Sequence, residues 1–339
     1  MRAVTRRNLL RIATAFCLSG GAWPAAAART FKLLFVAGYG GPPPNQSIRS
    51  GVVAALARRG FVEGRNLELV FTDAWIPGKA GGKEAALAAA VARRPDAILT
   101  QNTEITRAMQ AATRSIPIVF WNVADPVASG IVPNLARPGG NTTGASAHNL
   151  TLYPKRLQLV REAFPAARTV AMLIDSGFVR DGFPVSFYRE LHATARGLGL
   201  KLFEVDVATG PEGSDAALDV VVATGAEVML PLGPWPSRSI LQADIVRFQN
   251  RRRIPVVGMT TDSKGGVVDG YLLQYGVDVQ ESFRVCASQL AQIFAGTPPG
   301  DIPVEEPTKV ELVVNLKVAR ELGVVIPDSV LARVDRVIQ

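Results

Sequence analysis

Short apolar runs alternate along this chain with longer stretches in which apolar residues recur every three or four positions, the pattern of buried strands taking turns with amphipathic helices. Phe31 to Ala37 is the first such run, as expected of a strand covered on both faces of a parallel sheet. A helix is predicted from about Gln46 to Arg59, with Ile48, Val52, Val53 and Leu56 on one face and Gly60 at its end. Strand Asn66–Phe71, helix Lys83–Arg93 and strand Asp96–Leu99 follow. The stretch from Leu99 to Val127 then repeats the unit most clearly: Thr103 is positioned to cap a helix over Glu104–Thr113, and Ile116–Phe120 is the next strand. Strands joined by helices of this length form parallel βαβ units.

A second series begins with helix Pro154–Phe164 and continues through strand Thr169–Ile174, helix Val185–Gly197, strand Lys201–Val205 and helix Ser214–Ala223. It ends with strand Glu227–Leu230, helix Ser237–Asn250 and strand Ile254–Gly258. Val267–Gln274 is expected to return toward the first series, where helix Asp278–Ala295 would pack. The fold class is therefore α/β, with two doubly wound, Rossmann-like lobes joined by a hinge. The expected division is residues 29–146 plus 275–339 in lobe I and 147–274 in lobe II. The pattern does not place Lys309–Gln339 securely on either lobe.

Residues 1–28 stand outside this alternation. Arg6-Arg7-Asn8-Leu9-Leu10-Arg11 precedes an apolar run from Ile12 to Leu18, and Ala26-Ala27-Ala28 offers a small-residue cleavage site, so an export signal is expected. The paired arginines suit a twin-arginine signal, although a basic start also suits the general secretory route. The run is far short of the ~20 apolar residues that a membrane span needs. Phe16 before Cys17 is too bulky for a lipidation signal. A periplasmic product, soluble after cleavage, is the expectation. Cleavage would remove four arginines and no acids, lowering the formal charge from +8 to +4, and would leave Cys286 alone, hence no internal disulfide.

The residues available for chemistry argue against an enzyme. Only His148 and His192 are present, little material for a metal site or a proton shuttle. Gly144-Ala145-Ser146-Ala147-His148 resembles a nucleophile elbow but has His148 where a second glycine is needed. Gly38-Tyr39-Gly40-Gly41 after the first strand lacks dinucleotide spacing, and Pro42-Pro43-Pro44 removes the amides that would hold a pyrophosphate. Arg251-Arg252-Arg253 ends a predicted helix and reads as a solvated terminus, so no nucleic-acid partner is expected. Nor is any cofactor. What remains are polar turns at strand ends, where open α/β sheets bind ligands. The candidate ligand-binding residues are Tyr39, Asn102, Thr103, Asn122, Asp125 and Ser146 from the first half, with Asp175, Trp235, Thr260 and Thr261 from the second. A helix start near Thr103 suits a carboxylate, and Asp125 or Asp175 an ammonium, so an amino acid would satisfy both. Tyr39, Trp121 and Trp235 are the aromatics nearest these turns. Trp121 reads equally well as core, and Asp125 before Pro126 as a group serving its own turn.

"DPVASGIVPNLARPGGNTTG" from Asp125 to Gly144 resembles the signature of ABC-transporter substrate-binding proteins associated with tryptophan and tyrosine uptake. "GFVEGRNLELVF" at Gly60–Phe71, "TRSIPIVF" at Thr113–Phe120, "LLQYGVD" at Leu272–Asp278 and "PVEEPTKVELVVNLKVARELG" at Pro303–Gly323 are similar to the same family. The resemblance implies a periplasmic binding protein of type I-like architecture that captures a small polar solute by closing two lobes and presents it to an ABC permease. A sensor presenting the closed form to a membrane receptor is the second reading, and an exported α/β enzyme the third. A monomer is expected. Asn102-Thr103-Glu104 departs from the family's Gly-Thr-Pro, and Asp175-Ser176 from its Asn-Pro, so the resemblance does not carry a ligand with it.

Overall fold

The computed structural model describes residues 29–37, 46–73, 82–123, 125–147, 150–174, 185–206, 214–232, 242–261 and 270–339. Its first layer is a parallel sheet of β1 (Phe31–Ala37), β2 (Leu67–Asp73), β3 (Ala97–Gln101), β4 (Ile118–Val123) and β5 (Thr142–Ser146), in the order β2-β1-β3-β4-β5. Helices α1 (Gln46–Ala57), α2 (Gly82–Ala92) and α3 (Asn102–Ala112) connect the first four strands. Alternation along the strands sorts their side chains. Leu33, Phe35, Leu99, Val119 and Trp121 share one apolar cluster with Val52 and Leu56 of α1. Leu34, Val36, Ile98 and Ile118 point the other way, against Leu87 of α2 and Ile105 and Met109 of α3. Each strand is thus apolar on both faces, as its continuous run predicts.

The second layer begins with α4 (Leu152–Ala163) and β6 (Thr169–Ile174), followed by α5 (Val185–Gly197), β7 (Lys201–Asp206), α6 (Ser214–Ala223) and β8 (Val228–Pro231). Helix α7 (Gln242–Arg252) then leads to β9 (Val257–Thr261), and β10 (Leu273–Asp278) lies parallel to β9. The parallel strands order as β7-β6-β8, and Met229 N–H donates to Pro255 O at 2.8 Å, which sets β9 beside β8. Arg251 and Arg252 occupy the last turn of α7, exposed, with Arg252 3.2 Å from Asp219 on α6. His192 on α5 is held by Glu204 at 2.7 Å, a surface contact.

After β10 the chain enters α8 (Val279–Phe294), which packs on the first sheet: Phe283, Cys286 and Leu290 join the cluster of Trp121 and Val119. Burial pushes the Cys286 thiol well above its ordinary range, so it behaves as a small hydrophobe. The chain then lays Glu305 beside Ala145 at the edge of β5 before returning to the second layer. There β11 (Val310–Asn315) pairs antiparallel to β10, and β12 (Arg336–Ile338) parallel to β11. Between them lie α9 (Leu316–Leu322) and α10 (Asp328–Leu331). Leu312, Val314, Val318, Leu322 and Val330 share a cluster with Tyr153, Leu157, Val170 and Met172. The stretch 275–339, expected as one block on lobe I, is therefore split: α8 packs on the first sheet, whereas 310–338 packs on the second. The reason is local. Asn315 caps α9 through Val318 N–H at 3.0 Å, and the turn so fixed aims Val318 and Leu322 at the α4 side.

Strand β5 is the element that periodicity does not announce. Thr142-Thr143-Gly144-Ala145-Ser146 is short of large apolar residues, yet all five are buried. A Cβ on Gly144 would lie 2.3 Å from the Phe120 carbonyl and 2.5 Å from its ring, so the adjoining strand can approach only a glycine. Gly144→Ala is expected to lower the unfolding free energy by ~2 kcal/mol or more, read from the urea midpoint. An unchanged midpoint would show that β4 and β5 part without cost.

Candidate ligand-binding site

The order β2-β1-β3-β4-β5 reverses direction between β1 and β3, and the carboxyl ends of those two strands are where an open sheet of this kind leaves a crevice. Asn102 sits at the end of β3 and Asn122 near the end of β4, and both hold left-handed backbone, φ +63° and +61°. That region disfavours most side chains and is tolerated by Asn, and such strain gathers at binding sites. Asn102 Oδ1 accepts from Ile105 N–H at 3.0 Å, and its carbonyl accepts from Thr106 Oγ1 at 2.6 Å. The cap expected of Thr103 is therefore provided by Asn102, one residue earlier, and Thr103 lies buried in the first turn. At Asn122 the ladder between β4 and β5 slips by one residue, so that Trp121 pairs with Ala145 and Val123 with Ser146. A bulge of this kind redirects the strand end.

These pairings bring Asn102, Asn122 and Ser146 to one edge of the first sheet, with Thr103 just inside α3. Asp125 is drawn elsewhere. Its Oδ1 accepts from Val127 N–H at 3.1 Å and Ala128 N–H at 2.9 Å, the self-contained turn that an Asp before proline often makes. Thr260 and Thr261 close β9, paired with Val277 and Asp278 at the corresponding end of the second sheet. Tyr39, Asp175 and Trp235 lie outside the described residues, as do His148 and the side chains of Thr260 and Thr261.

Arg156 is the feature that pattern analysis missed. It follows Tyr153 and precedes Leu157 and Val160 on the inward stripe of α4, a position where a basic residue is easily taken for a solvent-facing one. Its side chain is 0% exposed. Nε donates to the Tyr275 carbonyl at 2.7 Å, one terminal nitrogen to the Met259 carbonyl at 2.9 Å, and the guanidinium stacks 4.5 Å from the Tyr153 ring centroid. Among the described residues no carboxylate pairs with it, and burial pulls its pKa down to about 10. One cation thus ties α4 to the main chains of β9 and β10.

Residues 41–338 match the family described as ABC transporter substrate binding protein. The chain belongs to that family. Over 274 residues it is 25% identical to the tyrosine-binding protein of Clostridioides difficile (strain R20291), covering 80% of this chain and 75% of that one. Among solved structures, a conserved domain protein from Vibrio cholerae is 25% identical, with a TM-score of 0.73 over 91% of this chain and 100% of that one. An ABC domain from Streptococcus pneumonia, solved in complex with L-Trp, is 22% identical at a TM-score of 0.74, with the same coverage. The last shows the fold, two lobes of the periplasmic binding protein kind.

Two substitutions test this frame. Arg156→Met is expected to cost about 3 kcal/mol, since two buried carbonyls lose their donors, as measured by urea unfolding. A near-neutral result would mean that desolvating the cation offsets those bonds. At the left-handed position, Asn122→Gly is expected to be more stable than Asn122→Ala by ~1 kcal/mol, because only the alanine meets the backbone penalty. Equal stabilities would remove the strain argument at that strand end.

Proposed function

We propose that this protein is an exported solute-binding component of an ABC uptake system, taking up an amino acid of the aromatic kind by closing its two lobes. The family match over residues 41–338 carries the reading. The tyrosine-binding relative and the L-Trp-bound structural neighbour support the ligand class. In this reading the first-turn amides of α3, behind Asn102 and Thr103, receive the ligand carboxylate. Asn122 and Ser146 complete the first-lobe side, while Thr260 and Thr261 approach from the second lobe with Tyr39, Asp175 and Trp235. Closure follows if one ligand touches both lobes, because contact with a single lobe has the same free energy open or closed. The closed form is then what a permease recognises. No covalent step is required, and the protein acts without catalysis.

The test is the thermal midpoint of the purified protein, refolded to strip carried-over ligand, against amino acids, aromatic acids, small carboxylates, nucleobases and sugars. An aromatic amino acid at 100 times its Kd is expected to add ~2.7 kcal/mol of stability. Small-angle scattering should show a smaller radius of gyration on binding. A midpoint shift from a different class alone would move the ligand out of the amino acids, and no shift from any member would overturn solute capture.

A further inference from the structure

Gln101 and Trp121 are partners in the ladder between β3 and β4, side by side at the carboxyl edge where the strand order reverses. Parallel register and alternation put both side chains on the face that carries Leu99 and Val119, beneath α1 and α8. They are 2% and 5% exposed. The Trp121 ring packs edge-on against Phe283 of α8, centroids 5.0 Å apart, which fixes its plane. Among the described residues, Trp121 Nε1 has no acceptor and Gln101 Oε1 has no donor. One buried donor and one buried acceptor thus stand next to each other without meeting. Leaving such groups unmet costs about 1–3 kcal/mol each, so the pair is matched to a third group.

The chemistry of that group follows from what each atom can do. An indole N–H only donates and an amide oxygen only accepts, whereas a hydroxyl accepts and donates through one atom. We propose that Gln101 and Trp121 form a subsite for a hydroxyl group of the ligand, which ranks a phenolic amino acid above an unsubstituted aromatic one. This rests on the reading of the site as an amino-acid site. The ligand hydroxyl accepts from Trp121 Nε1–H and donates to Gln101 Oε1. A tryptophan ligand serves Gln101 with its ring N–H and leaves Trp121 unmet, and a phenylalanine serves neither. The left-handed Asn102 and Asn122, each next in sequence to one member of the pair, hold the backbone around it.

Calorimetric titration of the ligand-stripped protein with L-tyrosine and L-phenylalanine tests the subsite. Tyrosine is expected to bind about ten- to a hundredfold more tightly. Trp121→Phe keeps the ring against Phe283 and removes the N–H, and Gln101→Met keeps the length and removes the acceptor. Each is expected to shrink the ratio, and the double variant to bring it close to one. Equal affinities in the unaltered protein would overturn the subsite while leaving amino-acid binding in place. So would a ratio that survives both variants. Binding of neither amino acid would overturn the amino-acid reading and the subsite together. The comparison within the unaltered protein decides the matter even if a variant fails to fold.

Discussion

Two neighbouring strands that run the same way cannot be joined by a tight turn. The chain must come back along a helix before it can lay the next strand, and each return delivers it to the same edge of the sheet. In this molecule the constraint acts in both layers. It gathers Gln101, Asn102, Asn122 and Ser146 at one edge of the first sheet and the end of β9 at that of the second. The polar residues of the site are far apart in sequence and are collected by the topology alone. Where the strand order turns round, helices leave to opposite sides and the edge is uncovered.

The crossings between layers are the places where that arrangement is adjustable. The main chain leaves β5 at Ser146, leaves β10 at Asp278 and returns beside Glu305 into β11. Asp278 Oδ1 caps α8 through Gln280 N–H at 3.1 Å, its own N–H donates to the Lys309 carbonyl at 3.2 Å, and the Lys309 ammonium lies 2.6 Å from Glu311. Two of the crossing segments are thus laced together at their midpoints. Any motion of one layer over the other bends them as a unit.

Most of this architecture could be read from hydrophobic periodicity, because a strand buried on both faces and a helix buried on one leave different marks. Helix Val185–Gly197 and strand Thr169–Ile174 have the predicted ends. The failures have physical causes. Thr142–Ser146 is a strand whose burial is made by Gly144 and two threonines, which carry almost no apolar signal. The segment from Val310 onward is apolar enough to be structured, yet its layer is decided by the antiparallel pairing of β11 with β10, a long-range contact that no local pattern encodes. In the site, the strand-end asparagines were legible as polar turn residues. Gln101 was not, because the last residue of a strand looks like the first of a turn until its neighbours are known. Arg156 was hidden for a similar reason: its purpose lies in carbonyls more than a hundred residues away.

The grip of Arg156 on Met259 and Tyr275 has an evolutionary side. Both bonds go to main-chain carbonyls, which every amino acid possesses, so the side chains at those two positions can be exchanged without loosening the knot. The strand whose end faces the ligand is held by a contact indifferent to its sequence. A lineage can therefore revise what β9 offers to a solute, one substitution at a time, on a frame that does not register the change.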